Sequence, residues 1–170
     1  MRSMVLPMAP LSLLSVGAIF GFFYAWVCST LWGLDRVDPK TAIVAMQAMN
    51  ASVRNAVFFP AFFLTPVFLA VTALVAFLQG RRFSAGFFAA GAAFYFAGAF
   101  LVTVLVNVPM NEALAQVTVP VDEQTAGLIW TDYSGRWQFW NTLRALMSGG
   151  ALFLTGLGIF YLSPKHATAV

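Results

Sequence analysis

Four long runs without a single Asp, Glu, Lys or Arg divide this chain, and they constrain its fold more than any other feature. They cover residues 3–34, 55–80, 83–111 and 145–164. A membrane-spanning helix needs about 20 apolar residues, and each run is long enough. Membrane β-strands are about ten residues of alternating polarity, a pattern that these runs lack. The sequence therefore predicts an all-α integral membrane four-helix bundle, with both termini on the same side of the membrane.

The composition excludes a soluble domain. Hydrophobic residues make up 61% of the 170 residues and charged residues only 9%, whereas soluble domains carry about a quarter. The first apolar run extends well beyond the 7–15 residues of a signal-peptide core, so we expect an uncleaved first span. The net charge is +3, and no basic run with interleaved aromatic residues implies nucleic acid. The expected partner is the lipid bilayer.

We expect a single domain over residues 1–170, with spans at about 8–34, 55–79, 84–108 and 138–162. Asp38-Pro39 is typical of a helix start. An amphipathic extension over 39–54 then continues directly into the second span, which Pro60 and Pro66 should kink. The first span should begin near Pro7 or Pro10. The segment 111–135 is expected to be the one longer extramembrane loop. Within it, Asp122 could cap a short helix through Trp130, and Ser134 could cap the fourth span.

The distribution of basic residues bears on orientation. Four lie on the predicted side of the termini and five on the other, which decides nothing under the positive-inside rule. The count becomes four against three if Arg54 and Arg144 face the protein interior. We therefore expect cytoplasmic termini, with all six acids on the opposite side of a bacterial inner membrane.

Polar residues gather at one end of the predicted spans. Three stretches place asparagine at helical spacing from arginine or from a second asparagine. Polar groups near hydrocarbon are costly and usually mark a site. The predicted substrate-binding residues are Asn50, Arg54, Asn107, Asn111, Trp137, Asn141 and Arg144.

Ordinary structural roles compete with this interpretation. The tryptophans could form an interfacial belt, the asparagines could join neighbouring helices, and a single arginine could extend to the headgroups. Two arginines on different helices, each with an asparagine on its own face, favour a pocket. Glu112 is the one acid close to the membrane boundary and is the candidate general base, which burial would strengthen.

The sequence contains few side chains that bind transition metals. Cys28 and His166 are the single cysteine and the single histidine, and zinc, copper and haem sites depend on such side chains. No metal site of that kind is predicted, although a carboxylate-only site stays open. No cofactor is expected.

Four short segments are shared with a known family. They are Gly21-Phe22-Phe23, Met46–Asn50 with Arg54, Asn107-Val108-Pro109-Met110-Asn111, and Trp137–Arg144. With them the chain resembles the anthrone-oxygenase-like family of small four-helix membrane proteins. Most members are described only as a domain of unknown function, and some oxidise an anthrone to an anthraquinone.

The resemblance implies a four-helix bundle and is compatible with oxygenation without a cofactor. Such chemistry needs an acidic C–H, a base, and donors that stabilise the enolate before it meets O₂. Arg54, Arg144 and the asparagines could be those donors, and Glu112 could be the base.

Three functions therefore stay open. The first is a membrane enzyme, an oxygenase that acts on a flat hydrophobic phenolic small molecule arriving from lipid. The second is a binding or transport module for a lipid-like or anionic small molecule. The third is a structural or assembly protein, a homo-oligomer included, in which glycine-rich helix faces make the contacts.

Overall fold

The computed structural model describes residues 4–120 and 122–162, which form helices and contain no strand. We number the helices α1 to α5, and their bounds are Val5–Leu34, Pro39–Ser52, Phe58–Leu78, Arg82–Ala115 and Glu123–Phe160. All but α2 are long and apolar enough to cross a membrane. The predicted all-α four-helix bundle is confirmed, and it indicates an integral membrane protein. The predicted side of the termini concerns residues 1–3 and 163–170, which lie outside the described residues.

Neighbouring spans run antiparallel. Ser12 near the start of α1 meets Thr72 near the end of α3, with 2.9 Å between their hydroxyl oxygens. Phe88 near the start of α4 lies against Gly158 near the end of α5. Helix α1 packs on α3 and α5, and α4 packs on the same two helices. The four spans thus form a ring around one apolar interior.

Small residues bring α4 and α5 close together. A Cβ added at Gly98 would overlap the side chain of Met147, and one at Gly91 would lie 3.3 Å from the backbone oxygen of Ala151. At this spacing the two backbones approach as membrane helices do when glycine lies at the interface.

The predicted continuous second helix is wrong, because the chain breaks between α2 and α3. The side chain of Asn55 occupies the break. Its Nδ2 donates to Ser52 O at 2.7 Å, and its Oδ1 accepts from the backbone N–H groups of Val57 and Phe58 at 2.8 and 2.9 Å. One asparagine therefore caps the end of α2 and the start of α3, as this residue type does when it competes with helical hydrogen bonds.

The two prolines of α3 have different consequences. Pro60 is the third residue of the helix, where a backbone N–H has no helical acceptor and its loss costs little. Pro66 lies in the interior and removes the donor that Phe62 O would otherwise have. The hydroxyl of Tyr95 on α4 donates to that oxygen at 2.9 Å. The proline thus creates an acceptor that ties α3 to α4.

The predicted length of the loop over 111–135 is also wrong, although the helix expected to start at Asp122 is present. Helix α4 continues past Pro109 to Ala115, and the linker covers only residues 116–122. Asp122 caps α5, accepting from Thr125 N at 2.7 Å. Ser134 lies inside α5 and caps nothing, because α5 runs unbroken for 38 residues. The end of α4 and the start of α5 therefore extend as helix beyond the apolar segments.

The first span begins earlier than predicted, at Val5. Pro7 falls within the first turn, where its missing N–H is not needed. Wide π turns interrupt α1 over Trp26–Thr30 and α4 over Tyr95–Leu101 and Thr103–Asn107. Such turns are rare and often occur at functional sites.

The buried apolar residues form two clusters. The bundle core fills the ring of spans and includes Phe23, Phe62, Leu69, Phe88 and Tyr95. The cap core lies where α2 packs on the extended ends of the spans. It contains Leu31, Ala42, Ile43, Met46, Leu114, Ala126, Trp130, Tyr133 and Trp137.

Hydrogen bonds hold the cap together. Gln47 on α2 donates from Nε2 to the backbone oxygens of Leu114 and Val117, at 2.9 and 3.0 Å, where α4 ends. Asp35, just after α1, accepts from Trp130 Nε1 at 3.0 Å and from Ser134 Oγ at 2.6 Å. These bonds join α1, α2, α4 and α5 at one end of the bundle.

Candidate functional site

A cavity of about 300 Å³ lies at the junction of the bundle core and the cap core. Its volume is at the lower end of the range for small-molecule pockets. Eight of its eighteen lining residues are aromatic, and a few polar groups enter from α2 and the residues after it, from α4 and from α5. The lining residues are Phe22, Phe23, Trp26, Met49, Asn50, Val53, Arg54, Phe58, Phe59, Phe62, Phe63, Thr103, Val104, Val108, Asn111, Glu112, Trp137 and Arg144.

The guanidinium of Arg144 is the most unusual group in this wall. The residue is only 4% exposed. Its Nη1 donates to Thr103 Oγ1 at 3.1 Å and its Nη2 to Asn141 Oδ1 at 2.9 Å. Its Cζ lies 4.5 Å from the centre of the Phe23 ring and 5.1 Å from that of Trp137. Aromatic faces stabilise a cation in this geometry.

Arg144 has no carboxylate partner in the described part of the chain. The ion pairs there join Arg54 to Glu112 and Arg136 to Asp132. The Nε of Arg144 is buried and has no hydrogen-bond partner among the described residues. A buried charge without a counter-charge is costly. The cavity wall therefore contains an uncompensated cation with an unused donor.

Neighbouring polar groups hold Arg144 in place. Asn141 donates from Nδ2 to Phe23 O at 3.1 Å, just before the π turn of α1. The Thr103 hydroxyl donates to Ala99 O at 2.8 Å, so its oxygen is oriented to accept from Arg144. Both α1 and α4 contain π turns at this level. The supporting groups thus come from three different spans.

A second polar group of the cavity is the amide of Asn111. Its Oδ1 accepts from Tyr133 Oη at 2.8 Å and from Trp137 Nε1 at 2.9 Å. Asn50 donates from Nδ2 to the same Tyr133 oxygen at 3.2 Å. Because two donors fix the amide oxygen, the Asn111 NH₂ group is left for another acceptor. It makes no hydrogen bond to a described residue.

The cap-side mouth is formed by an ion pair. Arg54 Nη2 and Glu112 Oε1 are 3.3 Å apart, and their side chains are 49% and 58% exposed. Both residues, with Asn50 and Asn111, also line an outer polar groove of about 600 Å³. The ion pair therefore separates the aromatic cavity from the groove. Glu112 is exposed, so the burial that was expected to strengthen it as a base is absent.

On another side the cavity reaches the membrane-facing surface. Phe59 and Phe63 on α3 are 43% and 46% exposed, and Val104 on α4 is 40% exposed. All three line the cavity. These exposed apolar side chains flank the wall at the level of the π turns, and we interpret the position between them as an apolar opening between α3 and α4.

Six of the eight residues proposed from the sequence line the cavity: Asn50, Arg54, Asn111, Glu112, Trp137 and Arg144. Asn141 lies behind the wall and supports Arg144. Asn107 is fully buried away from the wall, and neither atom of its amide group has a partner among the described residues. Substrate binding by seven of these residues and the role of Glu112 as a base stay predictions.

From the sequence we expected an aromatic-lined pocket, but of its rings only Trp137 was selected, and two polar contributors were missed. Phe22, Phe23, Trp26, Phe58 and Phe62 are indistinguishable from other apolar residues in a chain with 18 phenylalanines. Thr103 and Tyr133 could have been found from their spacing in the sequence. They precede the selected residues Asn107 and Trp137 by four positions, which is the spacing of neighbours on one helix face.

The described residues contain no cluster of metal-binding side chains. Within residues 4–120 and 122–162, no group of three or more His, Cys, Asp or Glu side chains is placed to hold an ion.

The family of the chain is identified by comparison with known proteins. A family model described as anthrone oxygenase matches residues 49–154, which is more than half of the chain. The chain belongs to the anthrone oxygenase family. In this anthrone oxygenase family member, the matched range includes the lining residues from Met49 to Arg144 but not those of α1. No curated protein and no solved structure matches the chain.

Proposed function

We propose that this anthrone oxygenase family member is a membrane enzyme that oxidises a flat, hydrophobic phenolic substrate, such as an anthrone, with O₂. One observation carries the proposal. An aromatic cavity contains a buried guanidinium, and its mouth contains Glu112, the single carboxylate among its lining residues. A cation for an enolate oxygen and a base for a C–H are the two groups that this reaction requires.

The proposed reaction converts an anthrone and O₂ into an anthraquinone and water. Glu112 removes a proton from the CH₂ group opposite the carbonyl, and Arg144 stabilises the resulting enolate oxygen. The enolate carbon transfers electrons to O₂ and forms a C–O bond. The peroxide takes the proton back from Glu112. The hydroperoxide then loses its remaining C–H hydrogen and its OH group as water, the O–O bond breaks, and the second carbonyl forms.

Other residues of the cavity suit binding and entry of the substrate. Asn111 presents an NH₂ group whose oxygen end is fixed by Tyr133 and Trp137, so it is oriented to bind a phenolic or carbonyl oxygen. The rings of Phe22, Phe58 and neighbouring residues offer flat apolar surfaces. The opening between α3 and α4 suits a substrate dissolved in the bilayer.

The proposal is tested with purified protein and an anthrone, following O₂ consumption and quinone absorbance. We expect oxidation well above the spontaneous rate. Glu112→Gln should lower the turnover number about 10²–10⁴-fold, the usual contribution of a general base. Glu123→Gln is the matched control, since Glu123 is an exposed acid at the start of α5. Equal rates for wild type and an Arg54→Ala/Arg144→Ala double variant would contradict the proposal.

A second candidate function is a binding or transport module for an anionic small molecule. The observation that favours it is Arg144, a cation without a described carboxylate partner. Stoichiometric binding of a planar anion, with no anthrone oxidation by fresh protein in lipid, would favour this function over the enzyme.

We also propose a bacterial inner membrane location with cytoplasmic termini. Arg144 is buried but Arg54 is half exposed, so the basic residues number four on each side and their count alone is neutral. The support is the Arg81-Arg82 pair at the α3–α4 turn, opposite a cap that contains all six acids. Single cysteines at 81 and 116, in a Cys28→Ser background, test this through labelling of intact cells. Labelling of residue 81 from outside would reverse the orientation.

A further inference from the structure

Arg144 is a cation that the chain does not neutralise. It is 4% exposed, and two of its nitrogens donate to uncharged oxygens, those of Thr103 and Asn141. Its third nitrogen, Nε, has no partner in the described part of the chain. Such a group inside a membrane protein usually faces a functional cavity and has a counter-charge there.

Every acid of the chain is engaged elsewhere or exposed. Glu112 pairs with Arg54 and Asp132 with Arg136. Asp35 accepts three side-chain donors from α5, and Asp38 and Asp122 cap helices. Glu123 is exposed in the first turn of α5. No Asp or Glu side chain therefore supplies a counter-charge to Arg144, and a bound anion can supply one.

The surroundings of the guanidinium restrict what that counter-charge can belong to. Phe23 and Trp137 contact it from the bundle core and the cap core. The same cavity wall includes Phe22, Trp26 and Phe62. Arg54 also lines the cavity but is paired with Glu112, so Arg144 is the lining cation without a carboxylate partner among the described residues. An aromatic wall with one unpaired cation fits a flat ring system that bears one negative oxygen group.

We infer that the ligand of this cavity binds as an aromatic monoanion, with its charged oxygen at Arg144 and its rings against the aromatic wall. A neutral molecule of the same shape binds much more weakly. The identity of that anion as the enolate or phenolate of an oxygenase substrate rests on the proposed function, whereas the preference for negative charge does not.

The inference is tested by binding without turnover. Anthracene-9-carboxylate and anthracene-9-carboxamide have nearly the same shape and differ in charge at neutral pH. Trp26 and Trp137 line the cavity, so energy transfer from tryptophan to the bound anthracene reports occupancy in detergent-purified protein. We expect the carboxylate to bind at least about tenfold more tightly than the carboxamide, because it alone neutralises a buried cation.

Variants locate the charge preference. Arg144→Gln should reduce the ratio of the two affinities to about one, and Arg144→Lys should keep the carboxylate preferred. Arg136→Gln is the matched control on the same helix, since Arg136 is exposed and pairs with Asp132. It should leave the ratio unchanged.

Three results would overturn the inference. One is equal affinity of wild type for the two probes, which needs no variant and no refolding. Another is loss of the preference in Arg54→Gln but not in Arg144→Gln, which would place charge recognition at the mouth. The third is displacement of the probe by phosphatidylglycerol but not by phosphatidylcholine, which would make the natural anion a lipid phosphate.

The outcome is independent of oxygenation. Neither probe has the acidic CH₂ group of an anthrone, so binding is measured whether or not the protein is an enzyme. Anthrone oxidation with equal binding of both probes would sink this inference alone. Selective binding without oxidation would sink only the proposed reaction.

Discussion

The bundle core and the cap core are stabilised by different interactions. In the bundle core, α4 and α5 meet through glycines such as Gly98 and Gly91, and rings such as Phe62 and Phe100 stack. In the cap core, Gln47 and Asp35 fix helix ends through several hydrogen bonds each. The solvent explains the difference. Lipid offers no hydrophobic driving force between helices, so close packing dominates there, whereas water drives apolar burial in the cap.

The cavity lies where these two modes of packing meet. Its wall contains the Arg144 Nε, which is buried without a partner among the described residues, and the unpaired amide of Asn107 lies away from the wall on α4. The other unpaired buried side-chain atom of the described residues is Ser84 Oγ, at the opposite end of α4. Unpaired polar groups are therefore concentrated where the two cores meet, and substitutions in each core and at the start of α2 test this division.

The bundle core should be most sensitive to added volume at the α4–α5 contact. Gly98→Ala places a methyl group onto Met147, and we expect a loss of about 1–3 kcal/mol in unfolding free energy, the usual cost of overpacking. Gly86→Ala is the matched control on the same helix, because nothing lies within 4 Å of its added Cβ. Unfolding in mixed detergent micelles measures both. Equal effects of the two substitutions would show that α4 and α5 do not touch at Gly98.

A hydrogen bond in the bundle core should matter only because of a proline. Tyr95→Phe removes the donor to Phe62 O, and we expect a loss of about 1–2 kcal/mol in unfolding free energy. Pro66→Ala returns a backbone N–H to that oxygen. In this background the loss caused by Tyr95→Phe should shrink markedly. A double-mutant cycle measures the coupling, and additive effects would contradict the proposed origin of the bond.

In the cap core, one side chain should control the end of α4. Gln47→Leu removes the donors to Leu114 O and Val117 O, at an expected cost of about 1 kcal/mol. Hydrogen exchange should accelerate around residues 114–117 and leave the bundle core protected. Gln116→Leu is the control, since it changes a neighbouring exposed glutamine. Uniform acceleration across all four spans would mean that the two cores unfold as one.

The smallest effect concerns pH at the start of α2. Hydrogen bonds from the side chain and the backbone N–H of Thr41, followed by the other local interactions, hold the pKa of the Asp38 carboxyl below its ordinary value of 3.8. A lowered pKa stabilises the fold above that ordinary value, and the stabilisation disappears as pH falls through the lowered pKa. We therefore expect wild type to melt slightly above Asp38→Asn at pH 7. The difference should begin to shrink near about pH 4, the ordinary range of an Asp carboxyl, and vanish below the lowered pKa.

Asparagine keeps the cap without the charge, so the comparison isolates the ionisation of Asp38. A melting difference that stays constant from pH 7 to pH 3 would show that the carboxylate charge adds nothing to this cap.

Much of the fold could be predicted from the four uncharged runs, because only helices of that length satisfy their backbone hydrogen bonds inside lipid. The break at Asn55 could not be predicted. It depends on one side chain that both donates to α2 and accepts from the start of α3, and not on a periodic pattern. The loop between α4 and α5 was predicted to be too long for a related reason. The ends of α4 and α5 are polar on one face and apolar on the other, and whole-segment polarity conceals such helices.

The site was predictable in its polar part and not in its aromatic part. Buried amides and guanidiniums stand out in an apolar sequence, so Arg144 and Asn111 could be selected. Phe22 and Phe58 could not, because only the tertiary structure separates a cavity wall from ordinary core. Asn107 was misplaced because it is the last residue of the π turn Thr103–Asn107, where the ordinary α-helical spacing to Asn111 does not hold. Asn111 lines the cavity and Asn107 does not.

The apolar opening between Phe59, Phe63 and Val104 sets how a ligand's concentration should be expressed. For the proposed substrate, which would enter from the bilayer, occupancy should follow its mole fraction in lipid and not its molarity in buffer. Adding empty vesicles at constant total ligand would then lower occupancy by dilution in two dimensions. Partition coefficient and binding constant multiply, and a modest intrinsic affinity suffices for a molecule that concentrates in membranes.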